Sequence, residues 1–268
     1  MFRLLPSGVA FFFVAMGNSS SKPVPQKTIN AMVIGPPTAG KSTFINSCYS
    51  AFDIPAIPAA TRITSSDGSK PERTTDSQQL CCLGDYNNRS INLIDIPGIA
   101  EDCVEASQEA IRYCAAGYRS HKMVNAGEWN LNTSIKLHPD KVIPNVALVF
   151  LPDTWVINRE QTTKWLFSSY STISISESAI TFINSVSKVL DETDPRVRPV
   201  FIVTKLDVIT YETNYSEKQI LDKFLELGNN NGLMALENNT FFVNSKKPDR
   251  KKLAKILNQA SCLVDGLP

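Results

Sequence analysis

Short apolar runs alternate with amphipathic stretches along most of the chain. Residues 28–34, 145–151 and 199–204 form apolar runs bounded by glycine, proline or polar residues, which is typical of buried strands. Residues 41–49 and 175–190 place apolar side chains at helical spacing. Strands that alternate with helices predict a mostly parallel sheet with helices on both faces, so the pattern indicates an α/β domain.

Two further strands and a helix follow the first helical stretch. Residues 77–83 and 90–96 predict a hairpin that turns through residues 84–88. The helical spacing resumes at residues 102–116.

The last part of the chain carries its own start and stop signals. Ser216, with Gln219 three residues later, predicts a capping box that opens an amphipathic helix ending at Gly228. A short strand at residues 240–243 then leads into a helix at residues 248–264. The alternation of strand and helix therefore continues to the end of the sequence.

Length and charge limit the classes of function. The chain has 268 residues and a formal net charge of +1, which gives no electrostatic reason to expect a nucleic-acid partner. Its six cysteines lack zinc-site spacing and are too sparse for a disulfide scaffold, which favours reduced thiols in a cytoplasmic protein. We expect a disordered leader at residues 1–26 and one folded domain at residues 27–268.

The leader carries two conflicting patterns. Residues 1–16 hold one arginine and an apolar run that resembles a signal-peptide core but is too short to span a bilayer. Met16 then opens the string M-G-N-S-S-S-K, which matches the N-myristoylation pattern if translation starts there and Gly17 becomes the amino terminus. A plain disordered leader, and secretion or membrane insertion, remain the alternatives. A single acyl chain would give reversible membrane contact.

A glycine-rich loop joins the first predicted strand to the first predicted helix. Its residues are Gly35, Pro36, Pro37, Thr38, Ala39, Gly40, Lys41 and Ser42, with Thr43 next. Glycines let successive amides approach phosphate oxygens, and the helix start adds its positive dipole end. Lys41 is predicted to reach the β- and γ-phosphates, and Ser42 to place its hydroxyl on Mg²⁺. The loop therefore predicts a nucleotide-binding site, although it resembles adenylate-kinase-like loops too and does not choose the base.

Two later motifs favour a guanine nucleotide. Asp95 closes a predicted strand and can hold Mg²⁺ through water, and the amide of Gly98 can meet the γ-phosphate. Thr204, Lys205 and Asp207 follow another predicted strand. Asp207 can accept two hydrogen bonds from the guanine ring NH and amino group, whereas adenine has no amine there. Lys205 can lie along the base with its aliphatic stem.

In this order, and each after a strand, residues 35–42, 95–98 and 204–207 resemble the translation-factor-related class of P-loop GTPases, which includes Ras-like domains. The resemblance implies a P-loop G domain with an insertion at about residues 101–144, before the fourth main strand. It also implies a turn that meets the guanine carbonyl, which we assign to Asn244, Ser245 and Lys246. Thr204 replaces the more usual asparagine, which weakens a loop-bracing contact and leaves base choice intact.

The same resemblance implies how GTP would be hydrolysed. A threonine from the first mobile loop should bind Mg²⁺, and Thr74 and Thr75 are both candidates. The residues predicted to act in hydrolysis are then Lys41, Gly98 and one of these threonines. Ile99 stands where the Ras-like pattern has a water-orienting glutamine, so we expect slow intrinsic turnover helped by an activating protein, by self-association or by a residue not yet identified.

Three functions remain open from the sequence. The favoured one is a Mg²⁺-dependent GTPase, with GTP or GDP as its ligand, that acts as a switch or assembles on GTP. A scaffold that binds GTP or GDP without hydrolysis is the first alternative, and a P-loop small-molecule kinase is the second. The middle region with Gly117 and Tyr118 resembles the interferon-induced cytosolic G-domain proteins, which carry similar insertions.

We expect alkyne myristate to label a chain whose translation begins at Met16, because methionine removal then exposes the Gly17 amine. Labelling in cells, followed by mass spectrometry of the amino-terminal peptide, measures this. Gly17→Ala removes the acylation site and serves as the matched control. An unlabelled Met16-started chain, beside a labelled reference protein in the same cells, would exclude myristoylation.

Overall fold

The structure is a computed structural model, and it describes residues 28–51, 79–86, 89–96, 98–99, 104–120, 135–137, 142–159, 171–244 and 249–266. The predicted leader with Met16 and Gly17 lies outside these residues. So do several predicted site residues: Thr74, Thr75, Ser245 and Lys246.

The described elements alternate between strand and helix, as the apolar pattern predicts. In chain order they are β1 (Ile29–Ile34), α1 (Lys41–Ala51), β2 (Gln79–Tyr86), β3 (Arg89–Asp95), α2 (Val104–Ala115), β4 (Tyr118–Ser120), β5 (Ile135–Leu137), β6 (Val146–Leu151), β7 (Ile157–Arg159), β8 (Ser171–Ile173), α3 (Glu177–Thr193), β9 (Arg198–Val203), α4 (Leu206–Thr213), α5 (Glu217–Asn230), β10 (Thr240–Phe242) and α6 (Arg250–Asp265). Short 3-10 turns lie at Asp153–Trp155 and Met234–Leu236.

Within the described residues, six strands form one sheet in the order β10-β9-β6-β1-β3-β2. All neighbours in this sheet run parallel except β2 and β3, which form the predicted antiparallel hairpin. All six residues of β6 are buried, as expected for a parallel strand covered on both faces. The α/β fold class with a mostly parallel sheet is therefore confirmed.

Two apolar cores lie on opposite faces of the sheet, because successive residues of a strand point to opposite sides. Met32 and Ile34 of β1 belong to the core formed with α2 to α5, whereas Ala31 and Val33 belong to the core formed with α1 and α6. Packing of Phe44 on Phe150, with ring centroids 5.2 Å apart, supports the second core under the glycine-rich loop. Helices thus cover both faces.

Local signals were accurate for one end of α5 and wrong for the other. Ser216 Oγ accepts from the amide of Gln219, and the Ser216 amide donates to Gln219 Oε1 at 2.9 Å, which confirms the capping box. The helix continues past Gly228 to Asn230. A Cβ at Gly228 would lie 2.7 Å from Leu236 Cδ1, so this glycine serves close packing and does not end the helix.

The hairpin turn is tighter than predicted. β2 extends to Tyr86 and β3 begins at Arg89, so the strands reach into the residues assigned to the turn. A register shift between Cys82 and Gly84 accommodates this, with Gly84 in the left-handed region at φ 76°.

None of the helices in the described ranges is long and apolar enough to cross a membrane.

Candidate nucleotide-binding site

The glycine-rich loop lies between the end of β1 and the start of α1, where the sequence places it. A Cβ at Gly35 would lie 2.7 Å from the carbonyl oxygen of Phe150, so no larger residue fits beside β6 without a backbone shift. Gly40 adopts φ 82° and Thr38 adopts φ 62°, so the loop turns twice through the left-handed region. The backbone thus curls tightly before α1 begins.

Lys41 is the first residue of α1, and its side chain folds back over the loop. Its Nζ donates to the carbonyl oxygens of Gly35 at 3.0 Å and Pro36 at 2.9 Å. Lys41 and Ser42 are both 7% exposed. The first turn of the helix, with its amides directed toward the loop, therefore carries a buried ammonium and a buried hydroxyl.

The residues after β3 pack directly on this loop. Asp95 ends β3, is fully buried and pairs in register with Val33 near the end of β1. A Cβ at Gly98 would lie 2.8 Å from the backbone nitrogen of Pro37, and the Ile99 amide donates to Gly35 O at 3.1 Å. The structure therefore brings Asp95 and Gly98 beside the glycine-rich loop.

Ile99 turns away from this surface into the core. Its side chain is 3% exposed and belongs to the cluster that contains Ile96 and Ile111. The position at which the resemblance expects a water-orienting side chain is thus occupied by a packed apolar residue.

The Thr204 motif is fastened to two neighbouring strands. Its amide donates to Leu151 O at 3.1 Å and its hydroxyl to the same oxygen at 3.5 Å, so both bonds tie Thr204 to the end of β6. A Cβ at Gly40 would lie 3.2 Å from Thr204 Cγ2, which brings the motif against the glycine-rich loop. The Leu206 amide donates to Val243 O at 2.9 Å, next to the exposed Asn244.

Lys205 and Asp207 stand at the amino-terminal end of α4. Lys205 occupies the N-cap position in the left-handed conformation, at φ 59° and ψ 41°, and Asp207 lies in the first turn of the helix. The backbone therefore changes direction at Lys205. The two side chains predicted to contact the base, those of Lys205 and Asp207, lie at this change and just after it. The base-binding roles of Lys205, Asp207 and Asn244 stay predictions.

Ser42 and Asp95 form a donor set that fits Mg²⁺. Ser42 offers a hydroxyl and Asp95 a carboxylate, and both residues are buried. Ser42 lies in the first turn of α1, which follows β1, and Asp95 is the last residue of the neighbouring strand β3. Mg²⁺ prefers oxygen ligands and usually takes one or two from protein, with water and nucleotide phosphates completing the octahedron. Across the described part of the chain, no group of three or more His, Cys, Asp or Glu residues could hold a metal ion.

Asp153, which the sequence reasoning missed, lies after β6 beside the base motif. Its side chain is only 4% exposed, with Lys205 Nζ 2.8 Å from Oδ1 and Arg159 Nη2 2.9 Å from Oδ2. Burial alone raises the pKa of this carboxyl, but hydrogen bonds from Lys205 and Arg159 outweigh it and hold the pKa below its ordinary value. The sequence signal that could have identified Asp153 is a carboxylate two residues after the end of a wholly apolar strand.

Arg159 extends this cluster to α4. Its Nε donates to Glu212 Oε2 at 2.7 Å and its Nη2 to Glu212 Oε1 at 3.0 Å, and Ser171 Oγ donates to Glu212 Oε2 at 3.2 Å. Glu212, followed by Asp153, raises the pKa of Arg159. Together, Asp153, Lys205, Arg159 and Glu212 form an ion-pair cluster with two charges of each sign.

The fold and the loop define a P-loop nucleotide-binding domain of the α/β class. Residues 30–126 match the family model described as 50S ribosome-binding GTPase. This similarity supports a P-loop GTPase G domain, and with it guanine-nucleotide binding and GTP hydrolysis in general. The match includes the glycine-rich loop and Asp95 but ends before Thr204. No curated protein matches the sequence.

We expect Gly98→Ala to weaken GDP binding by roughly tenfold. The added methyl group would overpack against Pro37, at a free-energy cost on the order of 1 to 3 kcal/mol, and would displace the glycine-rich loop. Fluorescent-GDP titration measures this, and thermal unfolding without nucleotide reports the fold. Gly266→Ala is the matched control, because a Cβ there meets Cys262 O at 3.4 Å, an ordinary contact at the carboxyl-terminal cap of α6. Unchanged GDP affinity in Gly98→Ala would show that this close approach does not matter for binding.

Proposed function

We propose that this protein is a Mg²⁺-dependent guanine-nucleotide-binding protein that hydrolyses GTP slowly and acts as a switch or by assembling on GTP. One observation carries the proposal: two separate motifs pack on the phosphate loop. Gly40 meets Thr204 from the base motif, and Pro37 meets Gly98 from the segment after β3. A glycine-rich loop in contact with both the predicted base-reading motif and the segment predicted to meet the γ-phosphate suits a ligand that contains a base and a terminal phosphate.

Each side chain then has a distinct task. Lys41, held at the loop by Gly35 O and Pro36 O, would turn its ammonium to the β- and γ-phosphates. Ser42 and Asp95 would hold Mg²⁺, which when bound neutralises charge on those phosphates. Asp207 would accept hydrogen bonds from the guanine edge and so exclude adenine.

The switch behaviour follows from contacts around Gly98. Its amide is predicted to meet the γ-phosphate, and the neighbouring Ile99 amide is bonded to Gly35 O at 3.1 Å. Loss of the γ-phosphate would therefore loosen the segment after β3 together with its contact to Pro37. The Mg²⁺-binding threonine, Thr74 or Thr75, would add a second element to the same switch.

Slow turnover follows from the burial of Ile99. An isoleucine that is 3% exposed and belongs to the apolar core cannot orient a water molecule. We therefore propose that an activating protein or a second copy orients the attacking water in place of Ile99. The same observation favours the second candidate, a scaffold that binds GTP or GDP and does not hydrolyse it. Cytoplasmic location and reversible membrane contact through Gly17 belong to both proposals.

We expect GTP and GDP, with Mg²⁺, to displace a fluorescent GDP from this protein while ATP does not. Asp207→Asn should lower GDP affinity by about a hundredfold and abolish the preference for guanine over adenine, because it removes the charged acceptor of two hydrogen bonds. Asp222→Asn, an equal change at an exposed position of α5, controls for charge loss. Equal competition by ATP would refute base reading by Asp207 and favour the kinase alternative.

We expect single-turnover GTP hydrolysis at about 10⁻³ s⁻¹ or slower in dilute protein, the range of G domains that lack an arginine finger. The rate constant should rise with protein concentration if a second copy completes the site. Lys41→Ala, which should be inactive, shows whether any phosphate release comes from this site. Fast turnover that ignores concentration would contradict the proposal, and nucleotide binding without turnover at any concentration would select the scaffold.

A further inference from the structure

The ion pair between Lys205 and Asp153 does more than neutralise a buried charge. Lys205 is the residue predicted to lie along the guanine base, and its Nζ is 2.8 Å from Asp153 Oδ1. The carboxylate side chain is 4% exposed and the lysine side chain 37% exposed. The far end of an otherwise accessible lysine is thus held by a group that belongs to the protein interior.

The backbone of Lys205 is fixed as firmly as its ammonium. Its φ of 59° is sparsely populated for residues with a Cβ, and its carbonyl accepts from the amides of Val208 and Ile209 at 3.0 Å each. The next amide, of Leu206, is bonded to Val243 O. With both ends held, the four-carbon stem between them has few conformations left, although lysine side chains ordinarily have many.

Arg159 adds a second positive charge to the buried Asp153 carboxylate. It donates to Asp153 Oδ2, while the Lys205 ammonium lies 2.8 Å from Oδ1, so each oxygen of the buried carboxylate faces a cation. Arg159 is itself bonded twice to Glu212 of α4, the helix that Lys205 caps. The ion pairs therefore close a ring from the start of α4, through the ends of β6 and β7, back to the end of α4.

From this geometry we infer that Asp153 is a positioning residue for guanine-nucleotide binding: it holds the Lys205 ammonium so that the lysine stem forms a preorganised surface for the base. The inference rests on the proposed function. It concerns affinity, because ordering the lysine beforehand removes an entropy cost from binding. Base choice remains with Asp207.

A double-mutant cycle tests this through GDP dissociation constants, measured with Mg²⁺ for wild type, Asp153→Asn, Lys205→Met and the double variant. Methionine keeps an unbranched stem and removes the ammonium. Asp153→Asn should weaken GDP binding about tenfold in wild type and less than about twofold in the Lys205→Met background. A role confined to fold stability would instead weaken binding equally in both backgrounds.

Asp194→Asn is the matched control, because Asp194 pairs with Arg196 at 2.8 Å. This pair lies just before β9, at the amino-terminal end of that strand and so at the end opposite to the candidate site. Urea unfolding without nucleotide checks that each variant folds. If Asp153→Asn does not fold, Asp153→Glu replaces it in the same cycle, since it keeps the charge and moves the carboxylate by one methylene. The expectation is again a loss of affinity that Lys205→Met suppresses.

The outcomes separate the inference from the proposed function. Wild type that binds GDP in preference to ADP, with no coupling between positions 153 and 205, overturns the inference alone. Unchanged GDP affinity in folded Asp153→Asn overturns it as well. Wild type with no preference for GDP over ADP overturns the proposed function, whatever the variants do.

Discussion

The close approach of β6 and of Thr204 to the glycine-rich loop is the constraint on which the candidate site depends. Gly35 lies against the Phe150 carbonyl, and Gly40 lies against Thr204. Below the loop, Phe44 packs edge-on against Phe150, so the core fixes the position of α1 relative to β6. Side chains at either glycine would separate these elements, and the phosphate-binding and base-binding parts would no longer face one ligand.

Parallel pairing of the central strands converts this constraint into a site. β1 lies between β3 and β6, so the residues that follow all three strands emerge at one edge of the sheet. Asp95, Asp153 and the glycine-rich loop reach this edge from different parts of the sequence. Their proximity is a consequence of strand order and register, with no direct sequence relation between them.

The sequence was sufficient wherever a signal is local. The buried runs of β1, β6 and β9 and the capping box at Ser216 were predicted because burial and capping act over a few neighbouring residues. The helix α4 was missed because Leu206–Thr213 is only eight residues long, and much of its anchoring comes from Val243 and the Glu212–Arg159 pair. Asp153 was missed because its partners are set by the fold, and Gly228 misled because close packing and helix ending both select glycine.

The burial of Ile99 ties the residue that follows Gly98 to the stability of the fold. A polar water-orienting side chain introduced at this position would have to leave the core cluster, or bury an amide in it, and either change costs stability. A substitution there that supplied such a side chain would therefore weaken the face of the sheet that α2 covers. Under the proposed function, such a trade-off favours control of turnover from outside the domain, where an encounter with another molecule sets the timing of hydrolysis.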